Sequence, residues 1–442
     1  MTREEIIEKV KNAGVVGAGG AGFPSHLKLN TRVDHVIANG LECEPLLQVD
    51  KLLMAHYPGQ IIKGLRLIMK AVQAKQGTIA LKKKYKIAYD SLIKEITAKD
   101  NIQIKLMDNY YPAGDEHNLT YEVTDKTVPE RGLPIDVSAL VHNVGTLYNI
   151  YNAVHNKPVI NKLVTVTGEV NEPATYYTAI GTPIKRIIDL SKVKIKDFAV
   201  INGGPLTGIP ADYHHDTVTK VTSGLIILPK DHILIRKKNE NITRSIKLAK
   251  SLCIQCNNCT TACPRNALGH DLKPHLLMRK IGLGEDMIDQ TFADAMLCCE
   301  CGLCGLFACP MDLIPNRVIR HIKSILQKKG ISIAKSDPFS KPRPLYHEKR
   351  IPTDSIVKRL GLWKYSHLTA PLKNKKYSSD IVRIFLKQHL GSPSVPIVEK
   401  GDQVKKEQLI AEVEKNSLGA RIHASIDGTV TEITQDFVEI KN

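Results

Sequence analysis

Nine of the ten cysteines crowd into the 57 residues from Cys253 to Cys309, in two runs that could do chemistry by themselves. The first is Cys253-x2-Cys256-x2-Cys259-x3-Cys263-Pro264. Three thiolates two residues apart wrap one face of an iron–sulfur cubane, and this is the spacing of bacterial ferredoxins. The fourth cysteine starts the next helix, where a proline fits the first turn. The second run, Cys298-x2-Cys301-x2-Cys304-x4-Cys309-Pro310, carries one residue more before its last cysteine. The spacing predicts two [4Fe–4S] clusters.

In two-cluster ferredoxins the last cysteine of each run serves the other cluster. By that rule one cluster takes Cys253, Cys256, Cys259 and Cys309, and the other takes Cys298, Cys301, Cys304 and Cys263. Structural zinc is disfavoured, because zinc sites pair two C-x2-C knuckles across a longer spacer. Cys299 is left over and reads as a bystander, since only Cys298 keeps the spacing. His270 and His275 read as surface or packing residues.

A second candidate lies near the start of the chain. Gly17-Ala-Gly19-Gly20-Ala-Gly22-Phe-Pro24 satisfies the G-x-G-x-x-G pattern, and Glu42 stands at about the fingerprint distance. A dinucleotide fold, however, needs a strand before the loop and a helix after it. Here a helical pattern precedes the loop, and Phe23-Pro24 interrupts the segment after it. The physics survives: consecutive glycines let backbone N–H groups converge on a phosphate, with Lys28 close enough in sequence to add charge.

The same loop resembles the glycine loop that holds FMN and leaves room for NADH in the NADH-binding flavoprotein subunit of respiratory complex I and in the Rnf complex C subunit. Asn39-Gly-Leu-Glu-Cys-Glu-Pro45, Tyr111-Pro-Ala-Gly-Asp-Glu116 and His142-Asn-Val-Gly-Thr146 are similar to further flavin-pocket segments. The resemblance implies that Gly17, Gly19, Gly20, Gly22, Lys28, Asn39, Tyr111, Gly114, Asn143 and Thr146 line FMN. Glu44 and Glu116 would sit towards the nicotinamide as the catalytic candidates. Leu41 stands where complex I has an acidic residue, and Cys43 where it has serine.

Elements must position these groups. Residues 3–12 read as a helix with Ile6, Ile7 and Val10 on one face, and Val33–Ala38 as a strand. Helix and strand patterns alternate to about residue 155, which predicts an α/β layer. Residues 161–235, with Val-Thr-Val-Thr-Gly-Glu-Val at 164–170 and Gly203-Gly-Pro-Leu-Thr-Gly208, are similar to the soluble-ligand-binding β-grasp (SLBB) module of the same families. Residues 236–330 are helical and cysteine-bearing. Residues 331–383, including Ser336-Asp-Pro-Phe-Ser-Lys-Pro-Arg-Pro344, read as a basic linker or an arm lying over another surface, pinned by the lone Trp363. Residues 384–442 resemble the lipoyl-like barrel-sandwich module of the Rnf C subunit. Gly401-Asp402 and Asp427-Gly428 look like hairpin turns there, and Lys415 is taken as unmodified. The fold class is therefore multidomain α/β plus β: an FMN- and NADH-binding domain over 1–160, then the β-grasp, dicluster, arm and barrel-sandwich units.

Composition narrows the function. The chain has 442 residues and a formal charge of +17, but its lysines are spread along it, aromatics are 5%, and no motif reads nucleic acid. No apolar stretch approaches the ~20 residues that span a bilayer, and the N-terminus is charged rather than signal-like, so a cytoplasmic location is expected. The barrel sandwich comes last here, whereas it comes first in the Rnf C subunit; that order, the length and the Cys298-Cys-Glu-Cys-Gly-Leu-Cys304 run resemble the cobalamin reductase family of bacterial propanediol-utilisation microcompartments. That resemblance implies NADH as donor, cobalamin as acceptor, an adenosyltransferase as partner and residence in a microcompartment. The rivals are an Rnf-C-like subunit feeding ferredoxin or a membrane complex, and a non-enzymatic electron-transfer module.

Overall fold

The computed structural model describes residues 1–334 and 341–442. Residues 335–340, part of the stretch read as a linker, lie outside the described residues. The N-terminal unit is built on a four-stranded parallel sheet in the order Ile102–Met107, Gln76–Lys82, His35–Gly40, Ala139–Asn143. Gln76–Lys82 is buried along nearly its whole length, as expected of a parallel strand covered on both faces. Helix Pro58–Val72 covers the sheet with Ile61, Leu65, Ile68 and Val72, and its Gly64 lets the Leu147 carbonyl of helix Val144–Val154 approach closely; a Cβ there would meet that oxygen at 2.2 Å. From His35–Gly40 the chain adds strands on one side, then returns to place Ala139–Asn143 on the other. The crevice where strand order reverses is where open α/β sheets bind ligands.

A six-stranded mixed sheet comes next, in the order Leu372–Tyr377, Ala174–Ala179, Asn161–Gly168, Gly224–Pro229, Phe198–Asn202, Ile209–Ala211. Helix Ile184–Leu190 packs Ile184, Ile187 and Ile188 against its valines. Its first strand comes from the arm, so residues 341–383 are woven into other units rather than spanning between them. Leu372–Tyr377 pairs with Ala174–Ala179, and Ile351–Pro352 pairs with Tyr110–Tyr111. Added strands satisfy edge N–H and C=O groups that would otherwise stay open. Trp363 does not pin the arm: it is 41% exposed, while Leu360, Leu362 and Tyr365 are buried. In the tight turn Trp363–Tyr365, neighbouring side chains point different ways, and the inward position falls to Tyr365, which bonds Glu169 Oε1 at 2.6 Å.

The C-terminal unit has a four-stranded and a three-stranded sheet. Gly401-Asp402 and Asp427-Gly428 do not close hairpins. Each joins strands of different sheets: Val395–Pro396 to Gln403–Val404, and Ile422–His423 to Gly428–Ile433. Gly401 adopts φ 99°, a corner that glycine supplies without steric cost. Val382, Ile384 and Ile440 of this unit share one core with Ile6, Val10 and Leu65 of the first. Among the described residues no helix is long and apolar enough to cross a membrane.

Candidate functional site

Asn39 and Asn143 sit side by side at the ends of adjacent parallel strands, and both line a cavity of about 700 Å³. That size falls within the ~300–1,000 Å³ typical of cofactor sites. Asn143 caps helix Val144–Val154 by accepting from the Gly145 N–H at 2.8 Å and donates to Asp50 Oδ2 at 2.8 Å. Gly19 packs against it so closely that a Cβ would stand 2.7 Å from Nδ2, whereas a Cβ on Gly20 would meet nothing within 4 Å. A bare backbone between an asparagine and an open cavity is the cradle a flat, phosphate-bearing cofactor needs. Gly114 completes this wall, receiving the Asn39 amide on its carbonyl at 2.9 Å and donating its N–H to Cys43 Sγ at 2.7 Å. Burial pushes the Cys43 thiol up to about 12, so it stays a neutral acceptor.

The other expected flavin residues stand behind the wall or apart from it. Thr146 Oγ1 accepts from the Ala18 N–H at 3.0 Å and so holds the loop from beneath. Gly17 and Gly22 brace its ends: Gly17 N–H bonds Phe23 O at 2.9 Å, and Gly22 adopts φ 73° against Gln388 and His389 of the C-terminal unit. Lys28 and Glu116 meet each other at 2.9 Å, and neither lines the cavity. Their partnership comes from geometry, since the helix Ser25–Leu29 turns Lys28 back onto Glu116 and the Val141 carbonyl. Tyr111 is buried and faces the cysteine region. Glu44 does line the cavity, but its carboxylate accepts from the Leu206 and Thr207 N–H groups at 2.8 Å each and from Thr207 Oγ1 at 2.6 Å. It thereby secures the Gly203–Gly208 loop.

Glu42, marked in the sequence by its distance from the glycine loop, belongs to a charged cluster under that loop whose other members, Asp50 and Lys162, no motif marked. Glu42 Oε2 accepts from the Asp50 N–H at 2.7 Å, and Lys162 donates to Ala18 O at 2.8 Å. Burial raises Glu42 to about 8 and Asp50 to about 6, and lowers Lys162 to about 8. Lys162 lies on a strand of the second unit, so no local pattern links it to Glu42.

The two cysteine loops share one backbone geometry despite different sequences. Left-handed residues fall two and four positions after the first cysteine in both, at Gln255 and Asn257 and at Glu300 and Gly302, with φ 54°, 66°, 59° and 81°. This turns the chain so that Cys253, Cys256 and Cys259, and likewise Cys298, Cys301 and Cys304, lie along one loop each. Cys253, Cys256, Cys259 and Cys309 line one small cavity, and Cys263, Cys298, Cys301 and Cys304 line a second, together with Cys299. Four thiols around a space suit a cubane better than a mononuclear metal. Cys263 caps the helix Pro264–Ala267. The extra residue before Cys309 is absorbed as a π turn over Cys304–Ala308. Cys299 also lines the large cavity, with Glu300 and Arg320, so it stands between the two sites.

A flavin-type crevice joined to a dicluster loop pair defines a flavo-iron–sulfur oxidoreductase. Residues 10–152 match the Nuo51 FMN-binding domain, 252–314 a 4Fe-4S dicluster domain, and 364–442 the RnfC barrel sandwich hybrid domain. The chain belongs to the family of the cobalamin reductase PduS: it is 37% identical to that of Citrobacter freundii over 99% of this chain and 96% of the relative. Identity to PduS of Salmonella typhimurium (strain LT2) is 36%, over 100% of this chain and 97% of the relative. A crystal structure of an NAD+-reducing [NiFe]-hydrogenase in the H2-reduced state is 17% identical with a TM-score of 0.46, covering 75% of this chain and 68% of its own.

Proposed function

We propose that the chain is an NADH-dependent reductase of cobalamin, using FMN and two [4Fe–4S] clusters. The observation that carries this reading is the shared wall: Cys299 and Glu300 of the second cysteine run line the crevice at the strand-order reversal. When bound, FMN would supply acceptance of two electrons from NADH and their release one at a time, and the clusters would supply one-electron passage towards cobalt. Gly19, Gly20, Asn39, Gly114 and Asn143 would hold the flavin, with Gly17, Gly22 and Thr146 fixing the loop and Lys28, Tyr111 and Glu116 bracing the surround. Glu44 would fix the loop that borders the nicotinamide side. One cluster would rest on Cys253, Cys256, Cys259 and Cys309, the other on Cys263, Cys298, Cys301 and Cys304. These steps require no general acid or base, so a carboxylate committed to backbone N–H groups is compatible with Glu44's place.

The family likeness supports an adenosyltransferase as the consumer of reduced cobalt, and residence inside a microcompartment. The test is anaerobic protein with reconstituted clusters and FMN, mixed with NADH and cob(III)alamin and monitored by absorbance. Flavin bleaching with cobalamin reduction is expected. Bleaching with reduction of ferredoxin but not cobalamin would favour an Rnf-C-like role, and no bleaching would overturn the enzymatic reading.

A further inference from the structure

Arg265 is more than nine-tenths buried, two residues after Cys263. Its Nη2 meets Asp115 Oδ2 at 2.9 Å. Its Nε and Nη1 have no hydrogen-bond partner among the described residues. Desolvated guanidinium N–H groups left without acceptors are costly, and a native fold retains them where an anion completes them. Besides Asp115, the thiols that interact with this guanidinium are Cys299 and Cys263, both of which line the second small cavity. Asp115 belongs to the flavin-binding unit, where it also caps the helix Glu116–Thr124 by accepting from the Asn118 N–H.

We propose that Arg265 is a positioning residue that directs its free N–H groups and its charge at the cluster held by Cys263, Cys298, Cys301 and Cys304, raising that cluster's reduction potential above the other's. Adding one electron makes a cluster more negative, and nearby N–H donors and a buried cation favour that reduced state. Through Asp115, the flavin-binding unit holds the guanidinium in place. The first cavity, around Cys253 and the exposed Cys256, instead meets a neutral donor, the Gln255 side-chain amide, which donates to Cys253 Sγ at 3.1 Å. The inference rests on the ligand sets proposed above, and iron content separates failure of that reading from failure of this one.

The experiment is an EPR-monitored redox titration of the anaerobic holoprotein, with iron and sulfide measured on the same samples. Arg265→Gln should lower one cluster potential by at least a tenfold change in the oxidised-to-reduced ratio, which is 59 mV for a one-electron couple. The other potential and the iron content should not move, and Arg265→Lys should restore part of the shift. Asp115→Asn keeps a good helix cap and leaves the guanidinium without its counter-charge. It should move the same potential the other way, which also covers failure of the Gln variant to fold. Two unmoved potentials with iron intact, or equal shifts of both, would overturn the proposal. Parent protein holding iron for a single cluster would overturn the ligand sets and the proposal with them.

Discussion

The Tyr111 hydroxyl donates to the Cys301 carbonyl at 2.8 Å, joining the flavin-binding unit to the middle of the second cysteine loop. Tyr111 is buried and lies on the short strand that pairs with Ile351–Pro352 of the arm. Tyr111→Phe leaves that carbonyl without this donor, at a cost of about 1–3 kcal/mol. The expected result is a lower denaturant midpoint for the anaerobic holoprotein with unchanged iron; an unmoved midpoint would show that the contact contributes nothing to stability.

Cys298 and Cys299 are adjacent, but only Cys298 accepts from the Glu300 N–H, at 3.3 Å. Its place in the loop matches that of Cys253, two residues before the left-handed Gln255. Cys299→Ala should therefore retain about eight iron atoms per chain, whereas Cys298→Ala should lose about half of them. Iron analysis after anaerobic purification decides, and the reverse pattern would assign Cys299 as the ligand.

Neighbouring glycines should respond differently to substitution. A Gly19 side chain runs into Asn143, while the space beside Gly20 is open. Gly19→Val should lose flavin absorbance and keep its iron. Gly20→Ala should keep both, with FMN affinity within about tenfold of the parent. Equal flavin loss in the two variants would mean that the cradle is set by something other than the Asn143 contact.

The acidic pair under the loop makes stability depend on pH. Burial raises Glu42 from 4.5 to about 8 in the folded chain. A carboxyl whose folded value lies above its unfolded value stabilises fully below about pH 4.5, and that contribution is lost as pH rises through about 8. Asp50, raised to about 6, acts in the same sense. Lys162, lowered to about 8, adds stability only as pH climbs further. Glu42→Gln should flatten the fall in thermal midpoint between about pH 5 and about pH 8. A variant with the parent's slope would show that Glu42 does not titrate there.

Local chemistry was written in the sequence because its geometry is local. Cysteine spacing set the two loops, since a chain turning through left-handed residues two and four places after the first cysteine carries its thiols to one side whatever surrounds it. The same holds for the helix Arg3–Asn12, capped by Thr2 and Glu5 three residues apart. Contacts between distant segments were decided by packing. Lys28 turned to Glu116, Trp363 was left outside while Tyr365 went in, and the Gly-Asp and Asp-Gly pairs became corners between sheets. Lys162 came beneath the glycine loop from another unit, and Arg265 met Asp115 across 150 residues. The cysteine spacing alone pointed to two loops that would hold clusters. Only the tertiary structure placed Cys299 against the flavin crevice, because that neighbour is set by how three units share their cores rather than by any spacing along the chain.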